Sequence, residues 1–261
     1  MNEEPLIHIS NLNKSYETNG KSELVLKNIN FDIEKGETVS ILGQSGCGKS
    51  TLLNLIGGFE STDKGRILFA GKAVTRPSRR SVMLFQNYGL LPWRSVLKNV
   101  ELGLEHSALS KNEMKQQALY YLRMVGLEDK TDHFPRQLSG GMQQRVAIAR
   151  ALAIEPELLL MDEPFGALDT FNRYYLQDEL IKIQSRANTT IVLVTHDIDE
   201  AVYLSDRIII MGKEPGHIQR ILKVEMTAPR DRSSDDFQYY RSLILKEFQL
   251  GVSKPPIEFN I

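Results

Sequence analysis

The chain lacks most of the features that would define it by composition. Among 261 residues there is a single cysteine, Cys47, so no intrachain disulfide can form and a reducing compartment is expected. The five histidines are far apart in sequence and show no metal-ligand spacing. No run approaches the ~18 apolar residues that a membrane-spanning helix needs. Met1–Pro5 is acidic, where a secretion signal is basic and then apolar. These absences predict a cytosolic chain, to which other chains must supply any membrane part. Charge of one sign is missing too. The 32 basic and 33 acidic residues leave a net charge of −1, which excludes bulk attraction to nucleic acid or anionic lipid. The clearest basic cluster, Arg76–Arg80, is short, contains Pro77 and has no interleaved aromatics, the pattern of a solvated loop. There is no internal repeat, and the length suffices for one large or two small domains.

Against this plain background one stretch is sharply defined: Gly43-Gln44-Ser45-Gly46-Cys47-Gly48-Lys49-Ser50-Thr51. An apolar, strand-like run from Thr38 to Leu42 precedes it, and a helix-like run from Thr51 to Ile56 follows. That is the strand–loop–helix setting in which Gly-x-x-x-x-Gly-Lys-Ser binds phosphate. The glycines let backbone N–H groups turn inward around a polyphosphate, and the helix adds the positive end of its dipole. Lys49 can reach the β- and γ-phosphates, and Ser50 can offer its hydroxyl to Mg²⁺. Cys47, beside a helix N-terminus and Lys49, is expected to favour the thiolate.

Around the loop, short strands near Leu6–Ser10 and Leu24–Ile33 suggest an antiparallel layer, with a turn and strand at Gly65–Gly71. Tyr16 stands alone in the polar stretch Asn13–Lys21, either as a stacking surface for a nucleotide base or as a loop tyrosine packed on its own sheet. After the apolar run Ser81–Phe85 the texture turns helical. Ser95–Leu104 and Ser110–Val125 carry apolar residues at helical spacing, with a capping box at Ser110 and Glu113. A further helix begins at Ser139-Gly140-Gly141. Two glycines there weaken the helix, so either something approaches that backbone closely or Ser139 is an ordinary N-cap. The α/β pattern then resumes. Leu158–Met161 is a buried strand ending in Asp162-Glu163, Thr190–Val194 another leading to His196, and Arg207–Met211 a third, with helices between. Right-handed crossovers would bring Asp162, Glu163 and His196 to the sheet edge that carries the phosphate loop. Residues 227–236 read as a linker, Phe237–Phe248 as a helix and Lys254–Ile261 as a loose tail.

Phosphoryl transfer to water needs a metal, a positive cradle and a group that orients the attacking water. Asp162 suits the metal shell and Glu163 the general base. Gln86 can hold Mg²⁺ or the water, and His196 can touch the γ-phosphate.

The motifs together resemble the ATPase subunit of an ATP-binding-cassette transporter. They are Gly43–Thr51, Gln86, Leu138-Ser139-Gly140-Gly141-Met142-Gln143-Gln144-Arg145, Leu158–Glu163, Gly166-Ala167-Leu168-Asp169 and His196, in the family's order. The resemblance covers roughly residues 6–225. It implies an α/β fold, a P-loop NTPase with a RecA-like parallel sheet, an N-terminal antiparallel β layer and an inserted helical subdomain. The implied division is 1–86 and 155–225 for the ATP-binding core, 87–154 for the helical insert and 226–261 for the linker, helix and tail. The implied catalytic residues are Glu163, His196 and Gln86, and the implied metal ligands are Ser50, Gln86 and Asp162. ATP would be held by Tyr16, Gly43, Ser45, Gly46, Cys47, Gly48, Lys49, Ser50, Thr51, Ser139, Gly140, Gly141, Gln143 and Asp169, with Ser139 and Gly141 serving the nucleotide on the other subunit's Lys49. Gly166 departs mildly from the family, where serine is common.

The family's pattern makes ATP and Mg²⁺ the cofactors. The partners are two transmembrane permease subunits, a second copy of the chain and, indirectly, an extracytoplasmic solute-binding protein; nucleic acid is not among them. The chain would sit peripherally at the cytoplasmic face of the membrane, held by the permease. Phe85–Trp93 and the short tail resemble the nitrate, taurine and aliphatic-sulfonate importers, a group that includes carriers of a thiamine precursor. Leu90, Leu91 and Trp93 follow Gln86 and would either meet the permease or belong to the subdomain core. The alternative is a soluble cassette protein doing mechanical work. Such proteins usually show tandem cassettes, coiled-coil insertions or a basic surface, and none is present.

Overall fold

The computed structural model describes residues 4–18, 20–85, 88–166 and 168–248. Two sheets organise it. The smaller is antiparallel and joins β1 (Ile7–Thr18), β2 (Lys21–Ile33), β4 (Lys64–Phe69) and β5 (Lys72–Ala73) in the order β2-β1-β4-β5. The larger contains β3 (Thr38–Gly43), β6 (Ser81–Leu84), β7 (Leu158–Asp162), β8 (Thr190–Thr195), β9 (Arg207–Gly212) and β10 (His217–Lys223). Its order is β10-β9-β3-β8-β7-β6, with every pairing parallel except β9 with β10.

The apolar runs become central strands because both faces of the large sheet are covered, and their alternation divides the core in two. Val39 and Ile41 of β3, Leu158 and Leu160 of β7, Val192 and Val194 of β8, and Ile209 and Met211 of β9 pack toward the antiparallel sheet. They meet Leu52, Leu53, Leu55 and Ile56 of helix α1 (Lys49–Gly57) there. The intervening residues, Leu42, Leu159, Met161, Ile191, Leu193, Ile208 and Ile210, belong to a second cluster. That cluster is completed by α2 (Val96–Leu104), α3 (Lys111–Met124), α4 (Gly140–Ala153), α5 (Thr170–Ala187), α6 (Ile198–Leu204) and α7 (Asp235–Glu247).

Local chemistry sets the helix ends. Ser95, Ser110, Ser139, Asp169, Asp197 and Ser234 each accept a backbone N–H at a helix start, and Ser110 with Glu113 closes the expected capping box. Gly58, at φ 74°, caps the end of α1.

Several expectations need correction. The stretch around Tyr16 is no loop: β1 continues to Thr18 and Tyr16 pairs with Glu23. Polar residues suit that strand because it lies in a half-solvated antiparallel sheet. Strand β10 was not anticipated; five of its seven residues are exposed, so it lacks an apolar run. Residues 227–236 are not a free linker. Arg230 is 8% exposed and its Nη1 donates to the carbonyls of Val202, Tyr203 and Ser205, while Arg232 stacks on the rings of Tyr174 and Tyr203. In α7 the deepest residues are Phe237 and Ile244, with Tyr240 and Phe248 only partly buried. The tail expected at Lys254–Ile261 lies outside the described residues.

Candidate active site

The parallel pairings bring the loops after β3, β7 and β8 to one sheet edge. β3 lies beside β8, and β8 beside β7, so residues far apart in sequence converge. They open onto a cleft of about 710 Å³ lined by Tyr16, Ser45, Gly46, Gly48, Lys49, Ser50, Thr51, Glu163 and His196.

The phosphate loop is pinned to the sheet. Lys49 is 7% exposed, and its Nζ donates to the carbonyls of Gly43 and Gln44 at 2.8 and 3.0 Å, so the charge is held over the loop. Gly48, the N-cap of α1, has φ 91°, and a Cβ there would lie 2.6 Å from Leu26 Cδ2. Only glycine meets both conditions. Next to Lys49, Ser50 Oγ donates to Asp162 Oδ1 at 3.2 Å, joining two expected metal ligands. Burial pushes the Asp162 carboxyl up, and nearby Glu163 adds to this, while the Ser50 hydrogen bond and Lys49 pull it back.

Glu163 sits at the turn out of β7 with φ 48°, the left-handed region that costs a non-glycine residue about 1 kcal/mol or more. Its amide donates to Val194 O at 3.0 Å, and its Oε1 lies 3.0 Å from His196 Nδ1. The strained turn aims the carboxylate into the cleft beside the histidine, as the sheet-edge argument required. Gln86, expected to join them, lies outside the described residues.

Tyr16 lines the cleft from β1. Its hydroxyl donates to Glu60 Oε2, and Asn54 Nδ2 donates to Glu60 Oε1 at 3.2 Å. Burial is the main cause of the rise in the Tyr16 phenol pKa, followed by the Glu60 hydrogen bond. Glu60 was missed in the sequence because nothing in the spacing marks an acid just beyond a helix C-cap.

Cys47 requires a correction. The thiol is 1% exposed and packs in the apolar cluster with Leu26 and Met211, and it does not line the cleft. Burial pushes its pKa up, outweighing the opposing pull of Lys49. The expected thiolate is therefore absent: the loop turns its backbone to the cleft and this side chain inward.

The signature residues are elsewhere. Ser139 caps α4 by accepting from Met142 N at 3.3 Å, and Gln143 Nε2 donates to Leu138 O at 3.3 Å. None of Ser139, Gly140, Gly141 and Gln143 lines the cleft, and neither does Asp169, whose Oδ1 caps α5 through Asn172 N at 3.1 Å. The Asn172 hydrogen bonds hold the Asp169 carboxyl below its usual range.

A lysine-bearing loop at the carboxyl edge of a parallel sheet, facing a serine–aspartate pair and a glutamate–histidine pair, defines a P-loop nucleoside triphosphatase. Residues 26–166 match the family model described as ABC transporter. The chain is 42% identical over 245 residues to the aliphatic sulfonates import ATP-binding protein of Bacillus cereus, covering 94% of this chain and 96% of the relative. It is 44% identical over 238 residues to the bicarbonate transport ATP-binding protein of Synechocystis, with 89% and 84% covered. A solved dimeric cassette in a post-hydrolysis state, bound to ADP and Pi, superposes with a TM-score of 0.77 at 37% identity. That match covers 85% of this chain and all of the cassette, 100%. The chain belongs to the ABC transporter family, and it is an ATP-binding, ATP-hydrolysing cassette.

Proposed function

We propose that this cassette powers a bacterial importer: two copies close head to tail over two ATP molecules, and the closure drives solute through a separate permease. The observation that carries this reading is the split site. Lys49, Ser50, Glu163, His196 and Tyr16 converge in one cleft, with Asp162 bonded to Ser50 at its edge, while Ser139, Gly140, Gly141, Gln143 and Asp169 stand outside it. A second copy, turned head to tail, would bring that missing wall.

Within the cleft Lys49 binds the β- and γ-phosphates, and Tyr16 stacks on the base. Ser50 and Asp162 offer hard oxygens side by side, of the kind that Mg²⁺ takes, and they would hold it with Gln86. Bound there, the ion would neutralise charge developing on the phosphate oxygens. Glu163 takes the proton from the attacking water, and His196 is steadied by its Glu163 contact as it faces the γ-phosphate.

The permease contact falls on the helical insert, residues 87–154. Trp93 is 71% exposed and flanks a groove of about 780 Å³ with Arg94, Lys98, Met114 and Phe134. Leu90 packs against the core and so serves the insert itself. Among the described residues no helix is long and apolar enough to cross a membrane. The cassette would thus be held at the cytoplasmic face by two permease subunits, with a solute-binding protein acting on the other side. Sulfonate and bicarbonate relatives stand at similar identity, so the solute is taken to be a small anion of the nitrate, taurine or sulfonate kind.

The test is Glu163→Gln, which keeps the shape but cannot accept the proton. Turnover should collapse while ATP binding persists, and the protein should collect as an ATP-dependent dimer by size exclusion with light scattering. A variant with parental turnover removes Glu163 from the mechanism. One that stays monomeric at saturating ATP, alone and with the permease, removes the paired site.

A further inference from the structure

Arg173, on the first turn of α5, spans two loops that lie far apart in sequence. Its Nη2 donates to Leu168 O at 3.3 Å, and its Nη1 meets Asp197 Oδ2 at 3.1 Å. Its own amide donates to Asp169 O at 2.9 Å, so the side chain is rooted in the loop it grips. Asp197 directly follows His196 in the chain. Its Oδ1 caps α6 through Glu200 N at 3.1 Å, and its amide donates to Thr195 Oγ1 at 3.0 Å, leaving that carboxylate little freedom.

These contacts close a ring. The loop from Glu163 to Asp169 and the loop from Thr195 to Asp197 touch at one end through Glu163 and His196, and at the other through Arg173. Gly166 N donates to Glu163 O and Leu168 N to Phe165 O, both at 3.2 Å, so the first loop carries backbone hydrogen bonds of its own. A displacement at Asp169 therefore has a short route to His196.

We propose that Arg173 is a positioning residue that latches the two loops, so that when a second copy presses on Asp169 the shift is carried into the Glu163–His196 pair of the same subunit. The inference rests on the paired-site reading above. Arg173 and Asp197 are only partly buried, at 28% and 33% side-chain exposure, so the pair adds little stability and its worth is geometric. Buried Glu200 also feels the guanidinium, whose charge pulls its carboxyl down against the larger effect of burial. Burial pushes that carboxyl up to about 8, which favours its neutral form and leaves Asp197 as the ion-pair partner of Arg173. The two-pronged geometry also explains the residue type, because lysine brings a single point charge that satisfies one loop at a time.

The test uses the full-length chain and the variants Arg173→Met, Arg173→Lys and Asp197→Asn, each measured for nucleotide Kd, KM, kcat and Hill coefficient. Arg173→Met should keep Kd and KM within about twofold while kcat falls roughly tenfold to a hundredfold, the scale of a small misplacement of reacting groups. The Hill coefficient should drop toward one. Arg173→Lys should recover part of kcat, and adding Asp197→Asn to Arg173→Met should cost nothing more. Folded Arg173→Met with parental kcat and Hill coefficient overturns the latch, as does a fall in kcat matched by an equal loss of ATP affinity. If Arg173→Met does not fold, Asp197→Asn decides, because its amide oxygen can still cap α6; parental kcat in that variant also overturns the proposal. The dimer reading is scored separately by Glu163→Gln in light scattering, so a failure of either is distinguishable.

Discussion

The phosphate loop and the start of α4 are both glycine-rich helix openings, and the folded chain treats them in opposite ways. At the phosphate loop the chain supplies its own reason for each residue. Gly48 is forced by a φ of 91° and by Leu26 against its Cα, Lys49 is buried on two carbonyls, and Ser50 meets Asp162. At the start of α4 the described residues supply no such reason. Among the described residues a Cβ on Gly140 would find only the Tyr88 hydroxyl, at 3.7 Å, which is ordinary contact, and Ser139 caps its own helix. One opening is completed by its own chain. On the paired-site proposal the other serves a neighbour, whose nucleotide phosphate would account for glycine at that opening.

The comparison can be broken most directly at Lys49. Lys49→Ala removes the charge from the β- and γ-phosphates and should lower hydrolysis by about two to three orders of magnitude, with the parental circular-dichroism spectrum retained. Unchanged turnover in folded protein would empty the first half of the contrast. Tyr16→Ala, on the same cleft, should raise the KM for ATP with little change in kcat, since base–aromatic stacking is worth ~1–3 kcal/mol. An unaltered KM returns Tyr16 to a packing role in β1. Gly140→Ala sharpens the other half. The chain has room for the methyl and helix propensity favours it, so the melting temperature should hold or rise, whereas hydrolysis should fall about tenfold as the second copy is held off. Normal hydrolysis would mean that nothing approaches this backbone.

The smallest effect concerns Glu200, buried behind the site. Its carboxyl rises from 4.5 to about 8 in the fold, so the folded state holds a proton that the unfolded chain releases. Stability from this group is complete below about pH 4.5 and is lost as pH rises toward 8. Glu200→Gln should therefore melt a few degrees above the parent at pH 8.5, and the gap should narrow at pH 6. A gap that does not change with pH would place the acid's charge in solvent.

Much of the site was legible because motif residues act through local geometry. A strand, a glycine loop and a helix start are contiguous in sequence, so the roles expected of Lys49 and Ser50 needed no tertiary information. The adjacency of Asp162, Glu163 and His196 was also readable, since a β-α-β-α-β order with right-handed crossovers puts strand ends on one edge. Cys47 was misread for the complementary reason. Its neighbours along the chain favour a thiolate, but ionisation is decided by solvent access, and the loop turns the thiol into the core. The strand character of the Tyr16 stretch and the tethering of residues 227–236 were hidden likewise. Polar sequence permits both, and only the partners, Glu23 across the sheet and the α6 carbonyls around Arg230, select between them.

By itself the sequence determined the parallel sheet, the phosphate cradle and the carboxylate pair, because each is written in residues adjacent or periodic along the chain, and its motifs carried the resemblance to the family. Only the tertiary structure decided which way Cys47 faces, that Glu60 holds Tyr16 and that Arg173 joins two loops. Those facts depend on through-space contacts of a few ångströms between residues tens of positions apart, which no periodicity records.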